Sequence, residues 1–443
     1  MGISVDEALS PSLQEKVSYL GTLLQSFPQG ETAVGKLLDM ILGRKRIERL
    51  TERIGGERVQ ERESEVEVFR KLTLMEKIAG PSGVDPPTAG CAMADGGRFQ
   101  KTTQNADSKT HWHEYKAGFC GVLEGRADGI ERGEDAPDPL PDVPKFLLNL
   151  EQVEALTSEI GRKAANVPEP EDAEIDTSQQ IDLNELSSLE QLEELVFQAE
   201  SAREEKAQKK RPWSPKVQSR DVVASSQNSE AFGEQLAARA WHLGLFGAKF
   251  KAFVGDGGSW LWTIWERQFK PFGFVPILDI IHAVTYLYAS AMAGRSRSEG
   301  GPVYRRWISW VWQGEVDKVI VELAQRQQEL GLPREGDGET SPRKIVHQAL
   351  TYFQNQHSRM DYPRYRKLGL PITSSLMEST VKQLNRRIKG TEKFWTEAGG
   401  EAVLQLKADN LSDSDPLSDF WTRRPSHQTG LYRRCQTQKA AAA

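Results

Sequence analysis

Two short apolar runs in this chain each end in the tripeptide Asp-Gly-Gly, once at Asp95 and once at Asp256. An apolar run that stops at a turn dipeptide is typical of a core β-strand. We therefore expect each aspartate at a strand end, beside glycines whose open backbone lets a bulky phosphate approach. One Asp-Gly is a common turn, as we expect at Asp128, but two copies on separate core strands are harder to explain as turns alone.

A third carboxylate belongs to an amphipathic helix predicted for residues 376–388. Its buried stripe has apolar side chains at spacings of 4, 3 and 4 residues: Met377, Val381, Leu384 and Ile388. Glu378 lies about 100° around the helix from the first of them and shares a flank with Lys382 and Lys389. An exposed glutamate on such a helix is common, so Glu378 is a candidate functional residue only in combination with the two aspartates.

The remaining patterns alternate between strand and helix. Strands are predicted at 111–123, 220–225, 253–256 and 276–279, and helices at 229–245 and 281–293. This succession predicts an α/β fold with a mixed sheet. The predicted regions are an N-terminal helical region (1–88), the first part of the core (89–123), an acidic insert (124–215), the second part of the core (216–283), an all-α insertion (284–370), the final core helix with its glutamate (371–410) and a polar tail (411–443).

The N-terminal region contains three apolar stripes at helical spacing, with a break predicted at Pro28-Gln-Gly. A basic cluster, Arg44-Lys45-Arg46, follows Gly43. Two interpretations stay open: a small DNA-binding helical unit, or a helical bundle with a solvated basic corner.

The net charge of −6 hides an uneven distribution. Residues 1–219 carry 27 Lys and Arg against 40 Asp and Glu, whereas residues 220–443 carry 30 against 23. The acidic excess lies in the Pro-rich insert 124–215, which we interpret as partly disordered and without chemistry of its own. The basic C-terminal half is compatible with a nucleic-acid partner.

Cysteine usage and hydropathy exclude other classes of protein. The three cysteines are too widely spaced for a disulfide framework or a zinc site. No stretch approaches the ~18 uncharged apolar residues of a membrane helix, and the first residues lack the pattern of a secretory signal. We expect a cytoplasmic protein without a membrane partner.

Three carboxylates are what two-metal phosphoryl transfer requires. Mg²⁺ and Mn²⁺ prefer oxygen ligands, and two such ions about 3.5–4 Å apart can activate the attacking oxygen and stabilise the leaving one. Asp95, Asp256 and Glu378 are the predicted ligands of these ions. Attack by water nicks DNA, and attack by a 3′-hydroxyl joins strands.

The same blocks resemble a known family. Val254-Gly-Asp-Gly-Gly-Ser-Trp-Leu-Trp followed by Ile277-Leu-Asp-Ile-Ile-His-Ala is similar to the second-aspartate region of Mutator-like DDE transposases, and most similar to a bacterial insertion-sequence branch. Met93-Ala-Asp-Gly-Gly-Arg resembles the first-aspartate block, and Pro371-Ile-Thr-Ser-Ser-Leu-Met-Glu resembles the start of the glutamate helix. The resemblance covers residues 89–123 and 216–410.

This resemblance implies an RNase H-like core with Asp95, Asp256 and Glu378 as the catalytic, metal-binding triad. It further implies metal-dependent DNA cleavage and strand transfer at insertion-sequence ends. The partners would be terminal inverted repeats and target DNA, and the enzyme would act as a homo-oligomer associated with the bacterial nucleoid.

Two further sets of residues follow from these blocks. Asp279 and His282 match the family's Asp-x-x-His motif, and we expect a hydrogen-bonded structural pair in preference to a metal ligand, because a polar pair in an apolar segment needs a partner. A DNA-binding strip is predicted along and just beyond the glutamate helix, with a merely solvated face as the alternative: Lys382, Arg386, Arg387, Lys389 and Lys393.

Other candidates carry less weight. His111 and His113 would share a strand face, but a metal site needs more ligands than these two. Trp260 and Trp262, close after Asp256, are expected either to pack in the core or to stack on unpaired bases. Two alternative functions remain: a catalytically silent, transposase-derived DNA-binding protein, and an RNase H-like nuclease that does not transpose.

Overall fold

The computed structural model describes residues 9–105, 109–126, 128–164, 191 and 215–424. In this part of the chain the strands form one mixed sheet with the order β3-β2-β1-β4-β5. The strands are β1 Ala89–Lys101, β2 Trp112–Leu123, β3 Val217–Ser225, β4 Phe250–Gly255, β5 Val275–Leu278 and β6 Phe394–Trp395. β1, β2 and β3 are antiparallel neighbours, whereas β4 and β6 are parallel to β1, and β5 is parallel to β4. The mixed α/β class is thereby confirmed.

The strand that carries Asp95 does not end at Asp-Gly-Gly, so the predicted strand end is wrong. β1 continues to Lys101, and Gly97 lies opposite Tyr115 of β2. A Cβ on Gly97 would lie 2.1 Å from the ring of Tyr115. The glycine therefore makes room for an aromatic side chain within the sheet instead of forming a turn.

Helices cover both faces of the sheet. In chain order they are α1 Pro11–Leu23, α2 Phe27–Leu37, α3 Arg44–Lys71, α4 Leu74–Ala79, α5 Lys145–Leu148, α6 Leu150–Ala164, α7 Ser229–His242, α8 Ser259–Ile264, α9 Ile280–Met292, α10 Arg297–Trp312, α11 Val316–Leu330, α12 Pro342–Gln356, α13 Tyr362–Lys367, α14 Ser375–Ile388, α15 Glu397–Asn410 and α16 Pro416–Arg423. Short turns of 3₁₀ or π helix lie at Leu245–Gly247, Trp265–Phe269, Lys270–Phe272 and His357–Arg359.

Alternation along β2 assigns one helix to each face. Gly118 packs against Phe232 and Leu236 of α7. Tyr115, three residues earlier and therefore on the opposite face, donates a hydrogen bond from its hydroxyl to Oδ1 of Asn385 on α14 (2.8 Å). The apolar stripe predicted for α14 is buried, so this helix and its inward face are confirmed.

The N-terminal helices begin and end at different residues from those predicted. Ser26 caps α2, and Pro28 lies in its first turn, where a missing backbone N–H costs little. The break predicted at Pro28 is therefore wrong. α1, α2 and α3 enclose a second apolar core, and Leu406 of α15 and Phe420 of α16 complete it.

The described part of the acidic insert is packed instead of solvated. Leu147 and Val153 are fully buried, and the carbonyl of Leu140 accepts a hydrogen bond from the indole of Trp312 (2.9 Å). Asp138 forms an ion pair with the buried Arg366 at 2.5 Å. Residues 128–164 thus belong to the helical insertion α9–α13, while residues 165–190 and 192–214 lie outside the described residues.

Part of the predicted polar tail is likewise packed against the rest of the protein. α16 contributes the buried Phe420 to the second core, and Arg424 donates hydrogen bonds to Glu57 of α3. The rest of that tail, 425–443, lies outside the described residues. Among the helices that the structure describes, none combines the length and the apolar character needed to cross a membrane.

Candidate active site

Three aspartates lie level with one another where β4 and β5 end beside β1, which itself continues past Asp95. The register of β1 and β4 brings Asp95 level with Asp256, two residues beyond the pair Met93 and Val254. The register of β4 and β5 brings Asp256 level with Asp279, one residue beyond the last pair. Neighbouring strands lie about 4.8 Å apart, so the three side chains share one edge of the sheet.

The carboxylates interact electrostatically. Burial raises the pKa of Asp95 to about 7, and the negative charges of Asp256 and Glu378 act in the same direction. A hydrogen bond from the backbone N–H of Gly96 to Oδ1 (2.7 Å) and the imidazole of His282 oppose this rise. Because like charges held this close disfavour one another, the arrangement is suited to a divalent cation, which would favour the ionised carboxylates.

The loop that carries Asp256 is held by the helical insertion. Tyr352 of α12 donates its hydroxyl hydrogen to the backbone oxygen of Asp256 (3.0 Å), and Gln356 donates its amide to the carbonyl of Gly257 (3.2 Å). Gly257 adopts φ +107°, a conformation that favours glycine. The backbone N–H of Gly258 donates to Oδ1 of Asp256 (2.8 Å), which turns the carboxylate back over the loop.

Asp279 joins the helix that follows β5 to the helix that carries Glu378. Its Oδ1 accepts from the N–H of Ile281 (2.8 Å) and caps α9. Its Oδ2 accepts from the backbone N–H (3.1 Å) and the hydroxyl (2.5 Å) of Ser374, the residue before α14. Asp279 is fully buried, and it therefore fixes the start of the helix on which Glu378 lies in the first turn.

Glu378 also belongs to a compact group of possible metal ligands. Among the described residues, the ligand atoms of Asp279, His282 and Glu378 all lie within 4.8 Å of one another. Asp95 and Asp256 are not members of that group, although both Glu378 and His282 affect the pKa of Asp95. Asp279 accepts three hydrogen bonds, from Ile281 and Ser374, and also belongs to this group, so its structural pairing with His282 in preference to metal binding stays a prediction.

The basic residues predicted along α14 have different environments. Lys382 and Arg386 are exposed, one and two turns after Glu378, and Lys389 is partly exposed. Lys393 donates from Nζ to the carbonyls of Arg386 (3.1 Å) and Arg387 (3.3 Å), so it caps the helix end, and burial lowers its pKa to about 8. Solvent-facing charge is concentrated in the first two residues.

Arg387 differs from the other members of the predicted strip because it is only 2% exposed. Its Nε donates to the carbonyl of Gly21 of α1 (2.9 Å), and its guanidinium lies 4.3 Å from the ring centre of Phe27 and 5.0 Å from that of Trp395. In this structure it does not offer its charge to solvent. It connects the glutamate helix to the N-terminal helices.

The two histidines of β2 have backbone partners. A ring nitrogen of His111 lies 2.9 Å from the carbonyl oxygen of Lys101, and one of His113 lies 3.0 Å from that of Thr103. Neither belongs to the group of possible ligands among the described residues. These contacts fasten the end of the hairpin formed by β1 and β2.

Sequence reasoning missed the residues that support the carboxylates. Tyr352 and Gln356 carry no local signal, because their contacts cross almost a hundred residues. Ser374 stands two residues before the predicted start of the helix, close to the position where serine often caps, and this signal was available. Its hydroxyl binds Asp279, however, instead of its own helix.

Comparisons with known proteins do not assign the chain to a family. It matches no protein-family model, no curated protein and no solved structure. The residues of the chain itself and the resemblance of its three acidic blocks are therefore the basis for assigning a function.

Proposed function

We propose that this chain is a DDE transposase of the Mutator-like type, which cleaves DNA at insertion-sequence ends and joins strands by two-metal-ion phosphoryl transfer. One observation carries the proposal: Asp95 and Asp256 lie level on neighbouring parallel strands, and Glu378 interacts with Asp95 from a helix anchored beside them. Three carboxylates from three separate chain segments thus converge at one edge of the sheet.

The topology supports an RNase H-like core. Three antiparallel strands are followed by a helix and two parallel strands, with helices on both faces. Strand β5 and then the helices α9–α13 lie between Asp256 and Glu378, and the resemblance implies a helical insertion at this place. A nucleic-acid substrate is also favoured, because Gly96, directly after Asp95, is exposed with open space around it. A bulky phosphate can therefore approach this carboxylate.

The donor set fits Mg²⁺ or Mn²⁺, since Asp95, Asp256 and Glu378 offer only oxygen atoms. When bound, two such ions would supply the polarisation of the scissile phosphate and of the attacking oxygen. Asp95, Asp256 and Glu378 would be the residues that hold these ions. Lys382 and Arg386 extend from the same helix as Glu378 and attract the DNA backbone. As the resemblance implies, the chain acts on DNA ends as a homo-oligomer.

The test is cleavage and joining of labelled terminal DNA from the host element with Mg²⁺ or Mn²⁺. Wild type is compared with Asp256→Asn and with Asp142→Asn, an exposed aspartate remote from the sheet edge. We expect metal-dependent cleaved and joined products from wild type and the Asp142 variant, and none from the Asp256 variant.

Other results would redirect the proposal. Cleaved products without joined ones would indicate a nuclease that does not transpose. If all three proteins bind the DNA equally and none forms a product with either metal, the catalytic proposal is refuted in favour of a DNA-binding protein.

A further inference from the structure

A tryptophan stands beside the carboxylates without being buried in the core. Trp260 is the second residue of α8, which begins three residues after Asp256, and it is partly buried, with some of its surface accessible. A Cβ placed on Gly258 would lie 3.2 Å from Oδ1 of Asp256 and 3.3 Å from Nε1 of Trp260. The indole N–H edge and the carboxylate therefore border the same small space.

The neighbouring tryptophan shows what ordinary packing looks like in this segment. Trp262 is buried and lies against Phe253, 6.3 Å between ring centres. Trp260 has one such contact, edge-on to Phe232 at 6.3 Å, which holds the ring in place while part of its surface remains accessible. A ring fixed on one side loses little further freedom when a flat ligand stacks on the other.

A cation completes the surface. The ammonium of Lys116 lies 5.9 Å from the ring centre of Trp260, within the usual range for a cation–π contact. Lys116 is opposite Gly96 in the sheet, directly after Asp95, and a Cβ on Gly96 would meet nothing within 4 Å. An aromatic face, an ammonium and open backbone thus adjoin Asp256, on the face of the sheet opposite to Glu378.

We propose that Trp260 and Lys116 form a subsite for one unpaired nucleotide of the DNA strand, next to a phosphate bound at Asp256. The base stacks on the indole, and the phosphate of that nucleotide pairs with the ammonium. A paired base inside a duplex cannot present its face, so the subsite selects a strand that is frayed or unstacked beside the cleaved bond. This inference rests on the proposed function and adds the form of DNA recognised.

The experiment measures cleavage of two terminal DNA substrates that differ only in one abasic position beside the cleaved bond. Proteins are wild type, Trp260→Ala, Trp260→Phe and Trp310→Ala. Trp310 is a matched control because it is also partly buried and has the cations of Arg306 and Lys318 at 5.4 and 5.8 Å from its ring centre, but it lies on α10.

We expect Trp260→Ala to cleave the intact substrate at least about fivefold more slowly than wild type, because a stacked base contributes substantially to binding. On the abasic substrate the two proteins should be equal, since the stacking partner is already absent. Trp260→Phe should recover most of the rate, and Trp310→Ala should match wild type. Equal rates for wild type and Trp260→Ala on the intact DNA, or an equal loss on both substrates, would overturn the subsite and leave the proposed function standing.

A binding assay keeps the subsite testable if no protein cleaves DNA, which is the result that refutes the proposed function. Anisotropy of a labelled single-stranded oligonucleotide is measured without divalent metal, at several salt concentrations, for the same proteins and Lys116→Gln. Weaker binding by Trp260→Ala but not Trp310→Ala, with a shallower salt dependence for Lys116→Gln, supports the subsite. If Trp260→Ala folds, unchanged binding by this variant overturns the subsite. If it does not fold, unchanged binding and unchanged salt dependence of Lys116→Gln overturn it.

Discussion

Replacement of Asp279 by alanine removes one carboxylate that serves two helices at once. The hydrogen bond to the N–H of Ile281 caps α9, and two more bind the backbone and hydroxyl of Ser374 at the start of α14. Because Asp279 is fully buried, water cannot easily replace these bonds. The variant therefore leaves donors without partners directly beneath Glu378.

The cost follows from the bonds lost. An N-cap contributes about 1 kcal/mol, within a range of 0.5–2. Hydrogen bonds to a charged group contribute about 1.5–3 kcal/mol each, and their loss at a buried site leaves the donors desolvated. Allowing for partial relaxation, we expect Asp279→Ala to lower the free energy of unfolding by about 3–5 kcal/mol. Ser374→Ala, which removes one donor and keeps the cap, should cost about 1–2 kcal/mol.

Urea unfolding followed by circular dichroism measures these losses, and a titration with Mn²⁺ on the same proteins measures metal affinity. Asp361→Ala is the control, since Asp361 is exposed and caps the short helix α13. Its removal should cost about 1 kcal/mol, as expected for a solvated cap. The comparison separates the effect of burial from that of capping.

The opposite pattern would refute the reasoning. Suppose that the free energy of unfolding of Asp279→Ala lies within about 1 kcal/mol of that of wild type, while its affinity for Mn²⁺ is lost. The carboxylate is then a ligand in the compact group with His282 and Glu378. Asp279 would then be part of the metal centre and not a support for it.

Three further predictions concern a buried ion pair, the Asp256 loop and pH. Asp409→Ala leaves the fully buried guanidinium of Arg58 without its 2.9 Å partner and should lower the free energy of unfolding by about 3–5 kcal/mol in urea. Tyr352→Phe removes the hydrogen bond to the Asp256 loop, and we expect kcat for DNA cleavage to fall about 2–10-fold with KM unchanged. Burial lowers the pKa of His242 to about 4, so His242 takes up a proton in the unfolded chain before it does so in the folded one as the pH falls below about 6.5. Between pH 7 and 5 the free energy of unfolding of wild type should therefore fall by about 2 kcal/mol more than that of His242→Gln.

Each of these has a matched control and a contrary outcome. Glu315→Ala breaks the exposed ion pair with Lys318 and should lower the free energy of unfolding by less than about 1 kcal/mol. An equally small loss for Asp409→Ala would contradict the larger contribution expected of the buried pair. Tyr365→Phe controls for loss of a hydroxyl outside the loop, and a change in KM alone for Tyr352→Phe would argue against positioning. His347→Gln replaces an exposed histidine, and the same pH curve for both histidine variants would contradict a lowered pKa at His242.

The sequence predicted those elements whose pattern is local. Alternating or continuous apolar residues indicated β2 to β5 within a few residues, and the stripe of α14 located the helix almost to its ends. Glycine misled the prediction in β1, because Gly97 accommodates Tyr115 of the neighbouring strand and a turn signal cannot show this. Proline misled it in α2, where Pro28 lies in the first turn and starts the helix instead of breaking it.

The candidate site was predictable in its carboxylates but not in their supports. Asp95, Asp256 and Glu378 follow from sequence blocks, while the contacts of Tyr352 with Asp256 and of Asp279 with Ser374 depend on long-range packing. Composition gave a misleading impression of residues 128–164. Their acidic and proline-rich character suggested a solvated insert, yet the acids there pair with arginines of the helical insertion.

The second apolar core limits how this protein can be divided. Its side chains come from α1, α2 and α3 and also from α15 and α16, which lie more than three hundred residues later. Deleting the N-terminal helices to obtain a smaller protein would uncover Leu406 and Phe420 and remove the Gly21 carbonyl that Arg387 binds. An exchange of these helices with those of another protein must therefore transfer both ends of the described chain together, because neither end can complete this core alone.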